Sequence, residues 1–138
     1  IGITDNKFNY IVVDFGTATT FDVIIKNNYL GGIIAPGIKL SLNTLIKQAS
    51  LIPPVNLTSV SGILGKNTIS AVRSGFYWGY IGLIKNIIKK ITKQTKKKYK
   101  IIFTGGLSNL FRKSIDPKVY IKSDLTIIGL LKVVSLVK

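Results

Sequence analysis

Three short apolar segments, separated by turn residues, lie near the start of the chain. Residues 10–14 (YIVVD), 19–26 (TTFDVIIK) and 29–35 (YLGGIIA) are rich in Ile, Val and aromatic side chains. Segments of this length and composition are typical of strands, and the intervening FGT and NN sequences favour tight turns. The pattern therefore predicts three strands joined as an antiparallel meander.

Apolar residues with helical spacing dominate the middle of the chain. The spacing predicts a first helix over residues 37–50, with Pro36 as an early helical residue, and a long helix over residues 68–94. Asn67 or Thr68 has the short polar side chain of an N-cap, and residues 55–66 are predicted to form a loop. The core stripe expected for the long helix is Ile69, Val72, Phe76, Tyr80, Leu83, Ile87 and Ile91.

The last third of the chain alternates between strand and helix patterns. Residues 100–103 and 119–121 are predicted strands, 107–113 is a predicted short helix, and 124–137 is a predicted last helix. The apolar face expected for that last helix carries Leu125, Ile128, Leu131 and Val134. The order βββ-α-α-β-α-β-α, without repeats or linkers, predicts one α/β domain over residues 1–138. A compact chain of 15.1 kDa would expose about 7,000 Å² of surface.

Several residue types are absent from the sequence. There is no Cys, His, Glu or Met, which excludes a thiolate nucleophile, a Ser-His-Asp triad and a His-ligated metal. The acidic residues are Asp5, Asp14, Asp22, Asp116 and Asp124. No run of about 18 apolar residues occurs, so no membrane span is expected. Because the first residue is Ile1 rather than Met, we expect the sequence to be a fragment of a longer protein. The location that we expect for that protein is the cytoplasm.

The chain is strongly basic, with a formal net charge of +15. Such a charge favours polyanionic partners, or it reflects a genome-wide bias towards Lys. We favour the bias, because Arg73 and Arg112 are the only arginines and nucleic-acid binders rely on Arg for bidentate contacts. Residues 89–100, with seven lysines in twelve positions, are accordingly expected to be a solvated helix end, and nucleic acid is not the expected partner.

One segment combines a carboxylate, a tight turn and several hydroxyl groups. In residues 14–20 (DFGTATT), Gly16 allows an unusual backbone, and backbone N–H groups together with Thr17, Thr19 and Thr20 could bind an anion. Asp14 could bind a cation beside that anion. Taken alone, the same residues are also compatible with an ordinary hairpin.

Two further glycine-containing segments could also bind a ligand through their backbone, and each has an ordinary structural alternative. Residues 62–68 (GILGKNT) resemble a P-loop but lack its pattern, since Val60 and Asn67 occupy positions that require Gly and Ser or Thr. An ordinary helix cap is the alternative there. Thr104-Gly105-Gly106 follows a predicted strand, where glycines allow a nucleotide to approach the backbone, with a tight turn as the alternative.

Taken together, these segments resemble a known family. Residues 14–22 (DFGTATTFD), 29–37 (YLGGIIAPG), 65–68 (GKNT), Ser74-Gly75 with Gly79, 104–106 (TGG) and 125–130 (LTIIGL) are similar in order and spacing to the C-terminal half of type III pantothenate kinases. The resemblance covers nearly the whole chain from Tyr10. It implies one RNase H-like half of the actin-like, sugar-kinase-like ATPase superfamily, and transfer of the ATP γ-phosphate to pantothenate, the first step of coenzyme A synthesis.

The resemblance also implies roles for individual residues. Asp14 matches the ligand of a monovalent cation, potassium or ammonium, and Mg²⁺ would accompany the ATP. Gly16 and Thr17 match the ATP-contacting turn, and Thr104, Gly105 and Gly106 match the segment beside the adenosine. Thr68 matches the pantothenate-contacting threonine. The family is dimeric, and we expect the long helix to form the interface, with Trp78 on a face that the predicted core stripe leaves open.

Two motifs of the family are missing from this sequence. The phosphate motif D-x-G-N-T and the catalytic Asp of G-x-D-R belong to the N-terminal half, and Asp5 does not match that Asp in position or context. No catalytic residue is therefore assigned, and we expect the chain alone to be inactive. The alternative is a non-catalytic remnant, or a regulator similar to transcription accessory factors, with nucleic-acid affinity from its basic surface.

Overall fold

The computed structural model describes residues 7–116 and 118–136. Five strands and four helices follow one another as β1 (Tyr10–Phe15), β2 (Ala18–Ile25), β3 (Asn28–Pro36), α1 (Ile38–Gln48), α2 (Thr68–Thr95), β4 (Lys100–Gly105), α3 (Ser108–Ile115), β5 (Tyr120–Ile121) and α4 (Leu125–Leu136). Order and type agree with the sequence pattern. Pro36 belongs to β3 rather than to a helix, so that part of the expectation is wrong, and residue 137 and the Gly2–Asp5 segment lie outside the described residues.

The strands form one mixed sheet in the order β3-β2-β1-β4-β5. The predicted meander is confirmed, since β1 pairs antiparallel with β2, and β2 pairs antiparallel with β3. Strand β4 runs parallel to β1, with Tyr10 opposite Lys100 and Asp14 opposite Thr104. Because parallel strands end at the same edge of a sheet, the carboxyl ends of β1 and β4 lie side by side.

One face of the sheet, which we call the covered face, carries the main hydrophobic core. Ile11, Val13 and Phe15 of β1 point to this face and pack with residues of α1, α2 and α3. The ring of Phe15 lies 5.0 Å from that of Phe103 in an edge-on arrangement and 5.5 Å from that of Phe111 in a stacked one. This aromatic cluster anchors α3 to the centre of the sheet.

The opposite face, which we call the open face, has much less covering. Tyr10, Val12 and Ile102 are buried there against Leu125, at the start of α4. The other residues of α4 remain partly or fully exposed. The chain exposes 9122 Å² in total, about 2,000 Å² more than the surface expected for a compact chain of this mass.

The side of α2 that is buried only partly overlaps the predicted one. Its buried residues are Ser74, Tyr77, Tyr80, Ile81, Ile84 and Ile91. Of the predicted core stripe, Tyr80 and Ile91 are buried, and Phe76, Leu83 and Ile87 are half-buried and pack against the main core. Val72 is half-buried and Ile69 is exposed, so the prediction is wrong for Ile69. The first half of α2 is apolar around most of its circumference, so helical periodicity could not select the face that packs on the sheet.

Within residues 7–116 and 118–136, none of the helices combines the length and the apolar character that a bilayer-spanning helix needs.

Candidate functional site

The carboxyl ends of β1 and β4 bring two of the predicted motifs together. Asp14 is paired with Thr20 on β2 and with Thr104 on β4. Residues paired across neighbouring strands point to the same side of a sheet, so these three side chains share the open face. The DFGT and TGG segments therefore form one site, which we call the strand-end site: Asp14, Gly16, Thr17, Thr104, Gly105 and Gly106.

Gly105 holds the strand-end site together through a backbone that other residues rarely adopt. Its φ is +88°, and a Cβ at this position would lie 2.7 Å from Asp14 Oδ1 and from the Phe15 carbonyl oxygen. The Ser108 hydroxyl donates a hydrogen bond of 2.9 Å to the Gly105 carbonyl, which fixes the turn into α3. A side chain here would displace the Asp14 carboxylate, so glycine is required for close packing.

The surroundings of Asp14 disfavour the ionised form of its carboxyl group. It is half-buried, and burial raises its pKa above the ordinary value of 3.8, with the negative charge of Asp22 as a second cause. Asp22 lies on the same face and accepts a hydrogen bond of 3.3 Å from the Tyr29 hydroxyl. Among the described residues no basic side chain forms an ion pair with Asp14. A bound cation would relieve this strain on the ionised carboxylate.

The β1–β2 turn offers fewer anion ligands than the sequence suggested. The Gly16 N–H donates within the hairpin to the Ala18 carbonyl, 3.1 Å away, so it is already used. Thr19 is fully buried on the covered face, and its hydroxyl has no hydrogen-bond partner, so the expectation that it faces an anion is wrong. Thr17 is exposed, and its hydroxyl has no partner among the described residues. Thr17 and Thr20 remain as the available hydroxyls.

Gly37 supports the turn from behind. A Cβ on Gly37 would overlap the Thr17 carbonyl group, so the junction between β3 and α1 packs directly on the turn. Any larger residue at this position would push the turn out of place. Gly37 ends the sequence motif 29–37, and only the tertiary structure shows its contact with the turn.

The Gly-Lys loop forms the N-terminal cap of α2. The Asn67 side chain accepts a hydrogen bond of 2.9 Å from the Ser70 N–H, and the Ser70 hydroxyl accepts from the N–H groups of Lys66 and Asn67 at 3.0 and 3.1 Å. This reciprocal arrangement confirms Asn67 as the N-cap. Thr68 begins α2 with an exposed side chain, and within the described residues no hydrogen bond connects it to Asp14 or Thr104.

Three side chains of α2 tie the preceding loop to the helix. Arg73 Nε donates to the Asn56 carbonyl at 2.9 Å, the Ser74 hydroxyl donates to the Ile63 carbonyl, and Trp78 Nε1 donates to the Gly62 carbonyl at 3.0 Å. Trp78 is thus part of the loop attachment rather than an open flank of the helix. The sequence contains no periodic signal for such contacts, because they join a loop to a helix across 11 to 17 positions.

Asp22 is the residue of this region whose role sequence reasoning missed. The sequence motif 14–22 contains Asp22 but assigns it no function. A signal was present, because in a hairpin that pairs Asp14 with Thr20 the side chain two residues further along must share their face.

The sheet order and the helices around it define the fold, which solved structures share. Over 95% of this chain, the Alp12 filament protein superposes with a TM-score of 0.63 at 19% identity, covering 48% of that chain. The ethanolamine utilization protein EutJ from Carboxydothermus hydrogenoformans has a TM-score of 0.54 at 19% identity, covering 93% of this chain and 49% of that one. The fold is therefore the α/β fold of actin-like, RNase H-like ATPases.

Sequence comparison gives the family. The model of the type III pantothenate kinase family matches residues 1–90, so the chain belongs to that family. It is 58% identical over 138 residues to the type III pantothenate kinase of Pelagibacter ubique (strain HTCC1062), covering 100% of this chain and 56% of the relative. The type III pantothenate kinase of Cereibacter sphaeroides (strain ATCC 17025 / ATH 2.4.3) is 46% identical over 123 residues, which cover 88% of this chain and 48% of that relative.

A further structural relative carries a different description. A Campylobacter jejuni protein described as a Baf family transcriptional activator has a TM-score of 0.67 at 26% identity, covering 94% of this chain and 58% of that one. The chain spans about half the length of the curated relatives it matches. Its matched region is the C-terminal half of the Pelagibacter relative.

Proposed function

We propose that this chain is the C-terminal RNase H-like domain, residues 1–138, of a type III pantothenate kinase, and that it binds ATP and pantothenate together with an N-terminal half. The observation that carries the proposal is the strand-end site. It places Asp14, Thr17 and the Thr104–Gly106 segment at the carboxyl ends of two neighbouring parallel strands, which is where open α/β sheets bind their ligands.

The proposed reaction is transfer of one phosphoryl group. The hydroxyl oxygen of pantothenate forms a bond to the γ-phosphorus of ATP, the bond from that phosphorus to the bridging oxygen breaks, and ADP leaves with the electron pair. The hydroxyl proton passes to the carboxylate that the family resemblance places in the N-terminal half. Catalysis of this kind depends mainly on positioning and charge stabilisation from both sides of the nucleotide.

Within this scheme the residues of the chain act as ligands. Thr17 contacts the phosphates with its exposed hydroxyl, with Thr20 beside it on the open face. The Thr104–Gly106 segment lies beside the adenosine, because its glycine backbone allows close approach. Thr68 contacts pantothenate from the start of α2. None of these residues removes a proton, which is why we expect the chain alone to show no turnover.

Asp14 fits a monovalent cation, potassium or ammonium. Its half-buried carboxylate has a raised pKa and no ion-pair partner in the described ranges 7–116 and 118–136, so a cation there would be favourable. When bound, such an ion supplies positive charge beside the phosphates. The same ranges hold no group of three or more acidic or other metal-binding side chains, so Mg²⁺ would arrive with ATP, held mainly by its phosphates.

The kinase proposal is tested with a chimera in which the N-terminal segment of the Pelagibacter relative precedes this chain. ADP release is measured with and without pantothenate, over a range of potassium concentrations. We expect pantothenate-dependent turnover that potassium activates, and a loss of that activation in Asp14→Asn. The matched control is Asp116→Asn, at the exposed end of α3, which should leave activity unchanged. An active chimera in which Asp14→Asn keeps full potassium activation would exclude the assigned role.

We also propose that two copies associate through a groove between α1 and α2. The groove has a volume of about 380 Å³ and is lined by Pro36, Ser41, Leu45, Val72, Gly75, Phe76, Gly79, Tyr80 and Leu83. Its lining is almost entirely apolar, and a Cβ on Gly75 or Gly79 would meet no atom within 4 Å. The occupant we propose is a second copy of α2, as the resemblance to a dimeric family implies. Thr68, at the start of α2, would lie on the same helix as the interface.

Two glycine variants provide a matched test of this interface. Gly79→Asp places a charge in the groove, whereas Gly82→Asp places one on α2 outside the groove, also in open space. Light scattering over a range of concentrations should show a weakened dimer for Gly79→Asp and an unchanged one for Gly82→Asp. Equal dimerisation of both variants would move the interface elsewhere. Trp78→Glu is a poor probe, because Trp78 holds the Gly62 loop.

A second candidate function, regulation through nucleic acid, is favoured by one observation. A cleft of about 670 Å³ at the other end of β4 is lined by Lys100, Arg112, Lys118 and Lys122, with Asp116 as its acidic residue and Tyr99 and Tyr120 at its sides. Basic clefts with aromatic side chains suit single-stranded nucleic acid. Of its basic residues, only Lys100 comes from the lysine-rich segment 89–100.

This candidate is tested by DNA binding at several salt concentrations. A regulator would bind at micromolar concentration in physiological salt, with a steep salt dependence. Lys118→Glu with Lys122→Glu would abolish this binding, while Lys39→Glu with Lys47→Glu on α1 would not. Weak binding that both double variants reduce equally would indicate non-specific attraction by the net charge of +15.

A further inference from the structure

The cleft at the start of β4, which we call the basic cleft, lies at the end of the sheet opposite to the strand-end site. It is lined by residues from the beginning of β4, the last turn of α3, and β5 with its flanking positions. Its volume of about 670 Å³ is within the range of about 300–1,000 Å³ that is usual for small-molecule sites. Since β4 has 6 residues that each advance by about 3.3 Å, the two sites are roughly 16 Å apart.

The basic cleft carries positive charge that no acidic side chain neutralises. Its acidic residue, Asp116, accepts a hydrogen bond of 2.8 Å from the Lys118 N–H, so it serves the local backbone. Among residues 7–116 and 118–136, no carboxylate forms an ion pair with the basic side chains of the lining. Four basic residues and one acidic residue leave a net of three positive charges in the lining: Lys100, Arg112, Lys118 and Lys122 against Asp116.

Aromatic rings lie beside these charges. The Nζ atom of Lys100 is 3.2 Å from the centre of the Phe8 ring and 5.8 Å from the centre of the Tyr120 ring. An ammonium group over a ring face is held by the electrons of the ring, and it keeps its full charge for an anion. Tyr99 and Tyr120 belong to the same lining, so a ligand in the cleft would meet cationic and aromatic groups together.

The backbone around the basic cleft is fixed by hydrogen bonds and by the main core. The Lys122 N–H donates to the Phe103 carbonyl at 2.9 Å, and the Val119 N–H donates to the Asp116 carbonyl at 3.1 Å. Val119 is 2% exposed and, like Phe111 of α3, is part of the main core. The cationic side chains therefore extend from a preformed frame, as is usual in small-molecule sites.

The amount of charge indicates the class of ligand. A phosphate monoester carries about −1.5 to −2 charges at neutral pH, so two or three phosphate groups match the lining. Arg112 adds a planar guanidinium group, which can bind two phosphate oxygens at once. A single-stranded nucleic acid instead occupies a groove that follows about 4–16 nucleotides, and the lysines of residues 89–98 do not extend the cleft into such a groove.

We infer that the basic cleft binds a small ligand with two or three phosphate groups, either a free oligophosphate or one attached to a nucleoside. The inference goes beyond the proposed kinase reaction and does not depend on it, because the cleft is remote from the strand-end site. Strand β4 runs from the cleft to Gly105, and α3 carries both Arg112 and Ser108, whose hydroxyl donates to the Gly105 carbonyl. A ligand in the cleft would therefore contact the two elements that support the strand-end site.

Calorimetric titration of this chain with sodium tripolyphosphate in physiological salt tests the basic cleft. Lys118→Gln with Lys122→Gln should raise the Kd on the order of tenfold or more, because two charge-assisted hydrogen bonds are lost. The control, Lys39→Gln with Lys47→Gln, removes the same charge from exposed positions of α1 and should change the Kd by less than about twofold. Arg112→Lys keeps the charge but loses the planar group, so its effect should be smaller than that of the Lys118 and Lys122 variant. Circular dichroism verifies that each variant is folded.

Amide chemical shifts locate the bound probe. Tripolyphosphate should move the signals of residues 118–122, whereas residues 14–20 and 104–106 report on the strand-end site. The same titration with ATP distinguishes the two sources of the ligand. A lower Kd for ATP than for tripolyphosphate, read from residues 118–122, would identify a nucleotide, and an equal Kd would identify the oligophosphate group alone.

Four results would overturn the inference. The first is the absence of binding up to millimolar tripolyphosphate, and the second is equal weakening by both double lysine variants, which would show attraction by the net charge. The third is a set of shifts confined to residues 14–20 and 104–106. The fourth is tighter binding in the cleft by an oligothymidylate of about twelve nucleotides, which would identify a nucleic-acid site. Turnover by the chimera is measured separately, so failure of the kinase proposal leaves this test unaffected.

Discussion

The two faces of the central sheet contrast in composition and in covering. On the covered face, Phe15, Phe21 and Phe103 are buried beneath three helices. On the open face, the positions paired with one another at the strand ends are Asp14, Thr20 and Thr104, and α4 covers only the opposite end. Strand alternation places both sets on the same strands. The contrast indicates that the covered face supplies stability, whereas the open face carries the polar groups that we propose as ligands.

The largest expected effect tests the covered face. Phe103→Ala should lower the free energy of unfolding by about 3–5 kcal/mol, because it leaves a cavity within the aromatic cluster. Ile34→Ala, at an exposed position of β3, should change it by less than about 0.5 kcal/mol. Urea unfolding measures both variants. Similar losses for the two would mean that the covered face does not dominate stability.

A smaller effect is expected where the two faces meet, at the end of β4. Gly105→Ala should cost about 1–3 kcal/mol, because its φ of +88° is unfavourable for alanine and the new Cβ would crowd Asp14. Gly106→Ala is the neighbouring control, since a Cβ there meets nothing within 4 Å. Thermal unfolding distinguishes them, and a Gly105→Ala protein as stable as Gly106→Ala would contradict the described turn.

Thr19 is a polar residue on the apolar covered face, and its replacement by an apolar residue should stabilise the chain. Thr19→Val removes a buried hydroxyl without a hydrogen-bond partner while preserving shape, so the free energy of unfolding should rise by about 1 kcal/mol. Thr20→Val on the open face should have almost no effect on stability. A loss of stability in Thr19→Val would show that its hydroxyl is satisfied in solution.

The smallest effect concerns the ionisation of Asp14. A carboxyl group with a raised pKa holds its proton more tightly in the folded chain, so ionisation weakens folding as the pH rises from 3.8 through the raised pKa. Asp14→Asn should therefore stabilise the chain at pH 7, by less than about 1 kcal/mol because the group is half-exposed. The gain should disappear below pH 3.8.

Unfolding measured from pH 3 to pH 8 checks the sign of the Asp14 effect. Asp22→Asn removes the second cause of the raised pKa of Asp14 and should reproduce part of the gain at pH 7. A pH-independent gain in Asp14→Asn would point to packing rather than charge. Asp14→Asn is also the variant that we expect to lose potassium activation. If it proves more stable than the unchanged chain, then Asp14 is kept on the open face although it lowers stability.

Sequence patterns were sufficient for the order and type of the strands and helices. Strand alternation and helical spacing predicted every element, because local burial requirements repeat with the period of the backbone. The Asn67 cap was also predictable, since its partners lie within three residues. The joining of the DFGT and TGG segments was not, because it depends on β4 pairing with β1 across about 90 positions.

The sequence by itself determined the family, the order of strands and helices, and the residue types that could carry chemistry. Only the tertiary structure decided which side of α2 is buried, which threonines reach the strand-end site, and that α4 lacks a covering partner. The physical reason is that α2 and α4 are apolar on more than one side, so their own periodicity allows several packings. For α2, the choice between them is made by the sheet and by α3, which are distant from it in the sequence.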